Sequence, residues 1–106
     1  MFEVGTGKAD ITTEKIGVGM MGYGMFRNIV LGVDTPICAR AFAFRDKETG
    51  KKFCFVNAEI CFITIAIKRG VVKKMKRKFS DLGYDDDNLF LTAQHTHSAP
   101  GGYSHY

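Results

Sequence analysis

No stretch of this chain approaches the roughly 20 consecutive apolar residues that a helix needs to cross a bilayer, so a membrane-spanning helix is excluded as its organising feature. The opening residues, Met1-Phe2-Glu3-Val4-Gly5, lack the basic segment and apolar run of a secretory signal. Two locations fit such a start: the cytoplasm, or the periplasm or exterior where a signal has been removed. An even complement of cysteines is also missing. The three present, Cys38, Cys54 and Cys61, follow no common zinc or redox spacing and sit in apolar surroundings, so they read as small buried core residues. Gly5-Thr6-Gly7-Lys8 lacks the full spacing of a phosphate-binding loop or dinucleotide fingerprint, and Asp85-Asp86-Asp87-Asn88 lacks the glycine and distant glutamate of an EF-hand. Internal repeats, low-complexity tracts and linkers are absent. A formal charge of +4, from 15 basic and 11 acidic residues, is too mild an excess to point to nucleic acid.

What remains is a chain of 106 residues, 45% hydrophobic and 25% charged. That describes one small folded domain, or part of a larger one, and neither a disordered nor a membrane chain. Residues 2–4 read as a short strand opening into Gly5-Thr6-Gly7, with 8–11 as a possible continuation. Residues 17–32 carry glycines at 17, 19, 22, 24 and 32 and read as a loop with close backbone approaches. Residues 37–45 alternate Ala39, Ala41 and Ala43 with Arg40, Phe42 and Phe44, a strand pattern. A polar turn at 46–51 and a return strand at 53–57 complete a hairpin. The return strand is apolar on both faces, as expected where both are covered.

Ile63, Ile67, Val71, Met75 and Phe79 recur every four residues, and the spacing predicts a helix over 62–80 with Gly83 at its C-terminal end. Residues 89–94 read as a final strand. Strand, helix, strand makes a parallel crossover unit, so the expected class is α/β, a mixed sheet built around that crossover. Lys68, Arg69, Lys73, Lys74, Lys76, Arg77 and Lys78 give the helix a basic face. It reads as a solvated face, with peripheral contact to an anionic membrane surface as the functional alternative.

The residues that carry chemistry follow the last strand: His95-Thr96-His97-Ser98-Ala99-Pro100-Gly101-Gly102-Tyr103. In an extended chain alternate side chains point the same way, which sets His95 and His97 on one side. Two imidazoles so placed can share a metal, or one can hold metal while the other handles a proton or an oxyanion. The bland alternative is a pair of histidines bonded to backbone at a strand end. Pro100 and the two glycines turn the chain and leave the pair at a carboxyl strand end, where α/β proteins commonly place their sites.

This segment resembles the T-H-T-H-S-G-P-G-G-Y signature of the neutral, non-lysosomal ceramidases. Four further pieces match in order. Gly5-Thr6-Gly7-Lys8-Ala9-Asp10-Ile11-Thr12 is similar to the family's G-x-G-[KR]-A-D-x-T, and Met20-Met21-Gly22-Tyr23-Gly24 to its M-G-Y-[GA] loop. Ala39-Arg40-Ala41-Phe42 resembles its [AS]-R-A-F strand, and Phe55-Val56-Asn57-Ala58-Glu59 its F-V-S-A-D segment. The resemblance spans nearly all of 1–106 and implies the N-terminal portion of a larger catalytic domain, a truncated enzyme rather than a self-contained module. It implies a zinc-dependent amide hydrolase that splits a ceramide-like lipid into fatty acid and sphingoid base. It implies His95 as a zinc ligand, His97 as the active-site group that meets the reacting amide, and Met21, Gly22, Tyr23 and Gly24 as pocket lining. The remaining ligands (a second His, a Glu and a Tyr) and the catalytic Ser fall further along the family chain. His105 lies too near His95 in sequence to match that second ligand.

The chain departs from the family pattern at Ala93, Gln94 and Ala99, at Glu59 in place of Asp, and over 34–37. Two other readings stand beside the zinc amidase: a hydrolase of a different N-acyl lipid, and a non-catalytic interaction module that keeps the fold.

Overall fold

The computed structural model describes residues 1–104; His105, set aside above as a zinc ligand, lies outside the described residues. Four strands form one sheet in the order β1-β2-β3-β4. They are β1 (Phe2–Asp10), β2 (Cys38–Asp46), β3 (Lys52–Ala58) and β4 (Leu89–Ala93), with the helix α1 (Ile65–Lys78) between the last two. β1 pairs antiparallel with β2, and β2 with β3, whereas β3 and β4 run parallel. The expected mixed sheet and crossover are therefore present.

Several boundaries differ from the sequence reading, each for a local reason. β1 is one nine-residue strand rather than a short one, because its glycines lie opposite Ala43 and Ala41 and stay in register. The helix begins three residues later than expected. Thr64, extended at φ −90° and ψ 160°, accepts a hydrogen bond from the Ile67 amide through its side chain and so caps the first turn. Ile63 is thereby left outside the helix. At the other end Phe79 leaves helical geometry with φ −136°, and Gly83, in the left-handed region at φ 62°, closes a separate 3-10 turn over Ser80–Leu82.

Pairing register divides the sheet into two faces. One carries Ala41, Ala43, Cys54, Val56, Leu89 and Leu91, and on it pack Val71, Val72 and Met75 of α1. Burial there pushes the Cys54 thiol pKa up. The other face carries Phe42, Phe44, Phe53, Phe55 and Phe90, with Phe44 stacked on Phe53 at 4.9 Å. The expectation that β3 is covered on both faces is met on one only: Phe53 and Phe55 remain 43% and 38% exposed. A single helix covers a single face. Among the described residues, no helix is long and apolar enough to cross a membrane. The basic face of α1 is less uniform than its sequence suggests, because the Lys68 ammonium donates to the Leu89 and Asp86 carbonyls and ties the helix to the start of β4.

Leu89, only 3% exposed, fills the space between α1 and β3. Leu89→Ala in the full-length protein is expected to cost about 2–5 kcal/mol, read as a lower melting temperature, because a buried cavity replaces the lost side chain. A shift of a degree or less contradicts this packing.

Candidate functional site

Parallel pairing of β3 with β4 ends at Ala58 and Ala93, but the two chains continue side by side. The Gln94 amide donates to the Ala58 carbonyl at 3.0 Å, and the His95 amide to the Ile60 carbonyl at 3.1 Å. The residues that leave β3, Ile60 to Phe62, are thus laid against the residues that leave β4. Tyr103 locks this arrangement from further along. Its hydroxyl accepts from the Cys61 amide at 3.2 Å and the Phe62 amide at 3.4 Å, while its ring packs on Phe62 at 5.6 Å.

His95 and His97 do come together, with ring centroids 5.1 Å apart and an interplanar angle of 66°. The reason differs from the one expected. The chain is not extended through the pair, because His95 sits in the left-handed region at φ 68°. Such a conformation in a non-glycine residue costs on the order of 1–3 kcal/mol, which the surrounding bonds must offset. The residue between them and those on either side line a separate space: Gln94, Thr96 and Ser98 border an open cavity of about 760 Å³ beside Lys8, Arg40 and Glu59.

The His95 ring is oriented by one contact. Its Nδ1 lies 2.7 Å from the Cys61 carbonyl oxygen. A carbonyl only accepts, so Nδ1 carries a proton, and in the neutral ring Nε2 keeps its lone pair. Metal-binding histidines are commonly held in this way, with the ring nitrogen that does not bind donating to a carbonyl or carboxylate. The donor set therefore suits a metal at Nε2 of His95. The Cys61 thiol is 3.8 Å from the same Nδ1. Cys61, His95 and His97 together offer ligand atoms that all lie within 4.8 Å of one another. Sequence reasoning assigned Cys61 to packing. It is indeed buried, but it also faces the histidines. The strand register could have revealed this: extending the Ala58–Ala93 pair by two residues sets Ile60 beside His95, with Cys61 next to it.

The glycine loop reaches the other histidine. Met20 bridges to Pro100, the Met21 amide donates to the Ala99 carbonyl at 3.3 Å, and the Gly101 amide to the Gly19 carbonyl at 2.8 Å. Ala99, only 1% exposed, is enclosed in this seam. The Tyr23 ring meets the His97 ring edge-on at 5.1 Å and 82°. Gly22 lies directly against it, at φ 109°, and a Cβ there would stand 2.5–2.7 Å from His97 ring atoms. Gly24 is different: at φ 63° it shapes the turn, with no such neighbour within 4 Å. Of the four residues expected to line a pocket, the structure sets Gly22 and Tyr23 on His97 and Met21 on the segment that follows it. A Cβ on Gly24 would meet neither His97 nor that segment.

Two of the sequence pieces also meet in an ion pair. Arg40 of β2 binds Glu59, just past β3, at 2.6 Å, and the second Glu59 oxygen accepts from the Cys38 amide at 2.6 Å. The Arg40 hydrogen bond, then the Cys38 amide, hold the Glu59 carboxyl below its ordinary 4.5.

With this geometry in hand, comparison with known proteins is direct. Residues 2–106 match the family described as "Neutral/alkaline non-lysosomal ceramidase, N-terminal". Over 105 residues the chain is 40% identical to a neutral ceramidase of Pseudomonas aeruginosa, covering 99% of this chain and 16% of that one. It is 35% identical over 102 residues to the neutral ceramidase of Drosophila melanogaster, covering 96% and 14%. The crystal structure of neutral ceramidase from Pseudomonas aeruginosa superposes with a TM-score of 0.93 over 99% of this chain and 16% of that chain, at 40% identity. The chain belongs to the neutral/alkaline non-lysosomal ceramidase family, of which it is an N-terminal part. It spans about one sixth of the length of these relatives, 16% of the one from Pseudomonas aeruginosa.

Two predictions follow from the geometry. Gly22→Ala is expected to lower the melting temperature more than Gly24→Ala, since both face an unfavourable φ but only the first also collides with His97; equal losses contradict the packing of Gly22 on that ring. The second concerns acid. Because the folded Glu59 carboxyl titrates below its ordinary 4.5, its contribution is fully present above that pH and is lost as the pH falls through the lowered value. Glu59→Gln should therefore lower stability above pH 4.5 and flatten the loss of stability below it, as followed by denaturant melts across the acid range.

Proposed function

We propose that this chain supplies the metal-facing part of the active site of a zinc-dependent amide hydrolase. The substrate is an N-acyl sphingoid base, released as fatty acid and sphingosine. The observation that carries the reading is the His95 Nδ1 bond to the Cys61 carbonyl, which leaves Nε2 of the neutral ring free to bind a metal. The names of the relatives, neutral ceramidases in Pseudomonas aeruginosa and Drosophila melanogaster, supply the substrate class.

In this reading the chain's own residues have separate tasks. His95 holds the ion through Nε2, and the Cys61 carbonyl keeps the ring in the tautomer that permits it. When bound, zinc supplies a Lewis acid that polarises the amide carbonyl or acidifies the attacking hydroxyl. His97, its ring edge set by Tyr23 and backed by Gly22, meets the carbonyl oxygen as charge develops or passes a proton. Amide cleavage forms a carbon–oxygen bond, breaks the carbon–nitrogen bond and delivers one proton to the departing amine. An imidazole beside the metal ligand is placed to handle that proton. The Met21–Tyr23 backbone forms the near wall, with Gly22 allowing the loop to approach His97 without a side chain between.

Two variants of the full-length protein test the assignment. His95→Ala is expected to lose zinc, measured by metal analysis, and unchanged occupancy rejects the ligand role. His97→Ala is expected to keep zinc and lose on the order of 100-fold or more in turnover of a fluorescent N-acyl sphingosine. Near-normal turnover rejects its role.

A further inference from the structure

The Tyr103 hydroxyl reaches back 42 positions in the chain and meets, at Phe62, the same peptide unit that faces His95. We propose that Tyr103 is a positioning residue for the His95 ring. Its hydroxyl fixes the peptide plane that joins Cys61 to Phe62, and that plane carries the carbonyl on which His95 Nδ1 rests. The inference deepens the reading of His95 as a metal ligand, and its consequence for zinc rests on that reading.

Three observations carry it. The first is covalent. The Cys61 carbonyl and the Phe62 amide belong to one peptide group, which is planar, and in the trans form they point to opposite sides. On one side the carbonyl oxygen lies 2.7 Å from His95 Nδ1. On the other the Phe62 amide donates to the Tyr103 hydroxyl at 3.4 Å. Rotation of the plane breaks both bonds together. The second is that the hydroxyl meets a need of the backbone. β3 ends at Ala58, so the amides of Cys61 and Phe62 have left its ladder. Cys61 is only 3% exposed, and a buried amide without an acceptor is costly. The Cys61 amide donates to the same Tyr103 oxygen at 3.2 Å, so two consecutive amides converge on one atom. The third is the rigidity of the arm. The Tyr103 ring packs on Phe62 at 5.6 Å, and the Gly101 amide is held by the Gly19 carbonyl at 2.8 Å. Between them Gly102, at φ 84°, lets the chain double back.

Removal of the hydroxyl alone leaves the far side of the plane unheld. The carbonyl is then free to swing, and the Nδ1 proton loses its fixed acceptor. Part of the population moves that proton to Nε2, the nitrogen that must be bare to bind an ion. Donation by the Phe62 amide also polarises the carbonyl into a better acceptor, and that contribution goes too.

The test is Tyr103→Phe in the full-length protein, which removes the oxygen and keeps the ring on Phe62. Long-range nitrogen–proton correlation spectra of chelator-stripped protein report the His95 tautomer, and competition with a chromophoric chelator reports the zinc dissociation constant. The expected result is an Nε2-protonated His95 population absent from the unsubstituted protein. Zinc affinity is expected to fall about tenfold, the lower end of what loss of an outer-shell partner costs. A tyrosine that serves only packing gives another pattern: folded Tyr103→Phe keeps the unsubstituted tautomer and zinc affinity, and that result overturns the proposal. So does a tautomer shift that leaves zinc affinity unchanged while zinc uptake depends on His95. Should His95→Ala leave zinc binding intact, the ligand reading fails by itself, and the tautomer comparison alone decides the role of Tyr103. Should Tyr103→Phe fail to fold, amide hydrogen exchange of the unsubstituted protein decides instead. Slow exchange at both Cys61 and Phe62 supports the proposal, and exchange at the open-chain rate at Phe62 overturns it.

Discussion

Everything in the candidate site depends on the parallel pairing of β3 with β4. Two strands that are neighbours in space but 35 residues apart in register, Cys54 opposite Leu89 through Ala58 opposite Ala93, leave the sheet side by side. Their exits then lie within hydrogen-bonding distance. The crossover helix makes this possible: Val71, Val72 and Met75 bury against Cys54 and Leu89, and the Lys68 ammonium holds the helix to the first carbonyl of β4. Hydrophobic burial sets the strand, the strand sets the register, and the register delivers the Cys61 carbonyl to His95. Tyr103 closes the circuit by bringing the chain beyond the histidines back onto the amides of Cys61 and Phe62.

The glycine loop solves a different problem. His97 needs a wall at van der Waals distance, and the main chain of Gly22 provides one without a Cβ. Short bridges between Met20 and Pro100 and between Gly19 and Gly101 hold the loop there. Both histidines are therefore supported by backbone from distant segments, His95 by the exit of β3 and His97 by the loop before β2. Support of that kind is less sensitive to side-chain rotation than a purely side-chain shell.

How much of this was legible in the sequence follows from the range of each interaction. Local periodicity exposed the hairpin, the helix and the final strand, because alternation and a four-residue stripe are written within each element. Boundaries set by single bonds, such as the Thr64 cap, were missed by a few residues. The histidine pair was legible as a motif, yet the physical ground offered for it was wrong: His95 is in the left-handed region, and the Cys61 carbonyl rather than strand alternation sets its ring. Cys61 is buried as expected, but its place beside His95 was not legible, because it depends on a contact with a residue 34 positions away. Neither composition nor spacing within the chain encodes such a contact; only the strand register does. The return strand with Phe53 and Phe55 was read as covered on both faces, and the family comparison gives the context, since these residues form part of a larger domain.

The central claim is that the Cys61 carbonyl dictates which nitrogen of His95 is available. Long-range nitrogen–proton correlation spectra of the imidazole side chains report that tautomer directly. The structure predicts a His95 ring in metal-free protein with its proton on Nδ1 and an unprotonated Nε2. A His95 ring that instead carries its proton on Nε2 contradicts the account, because the carbonyl would then have no donor and the ring no fixed face to offer a metal.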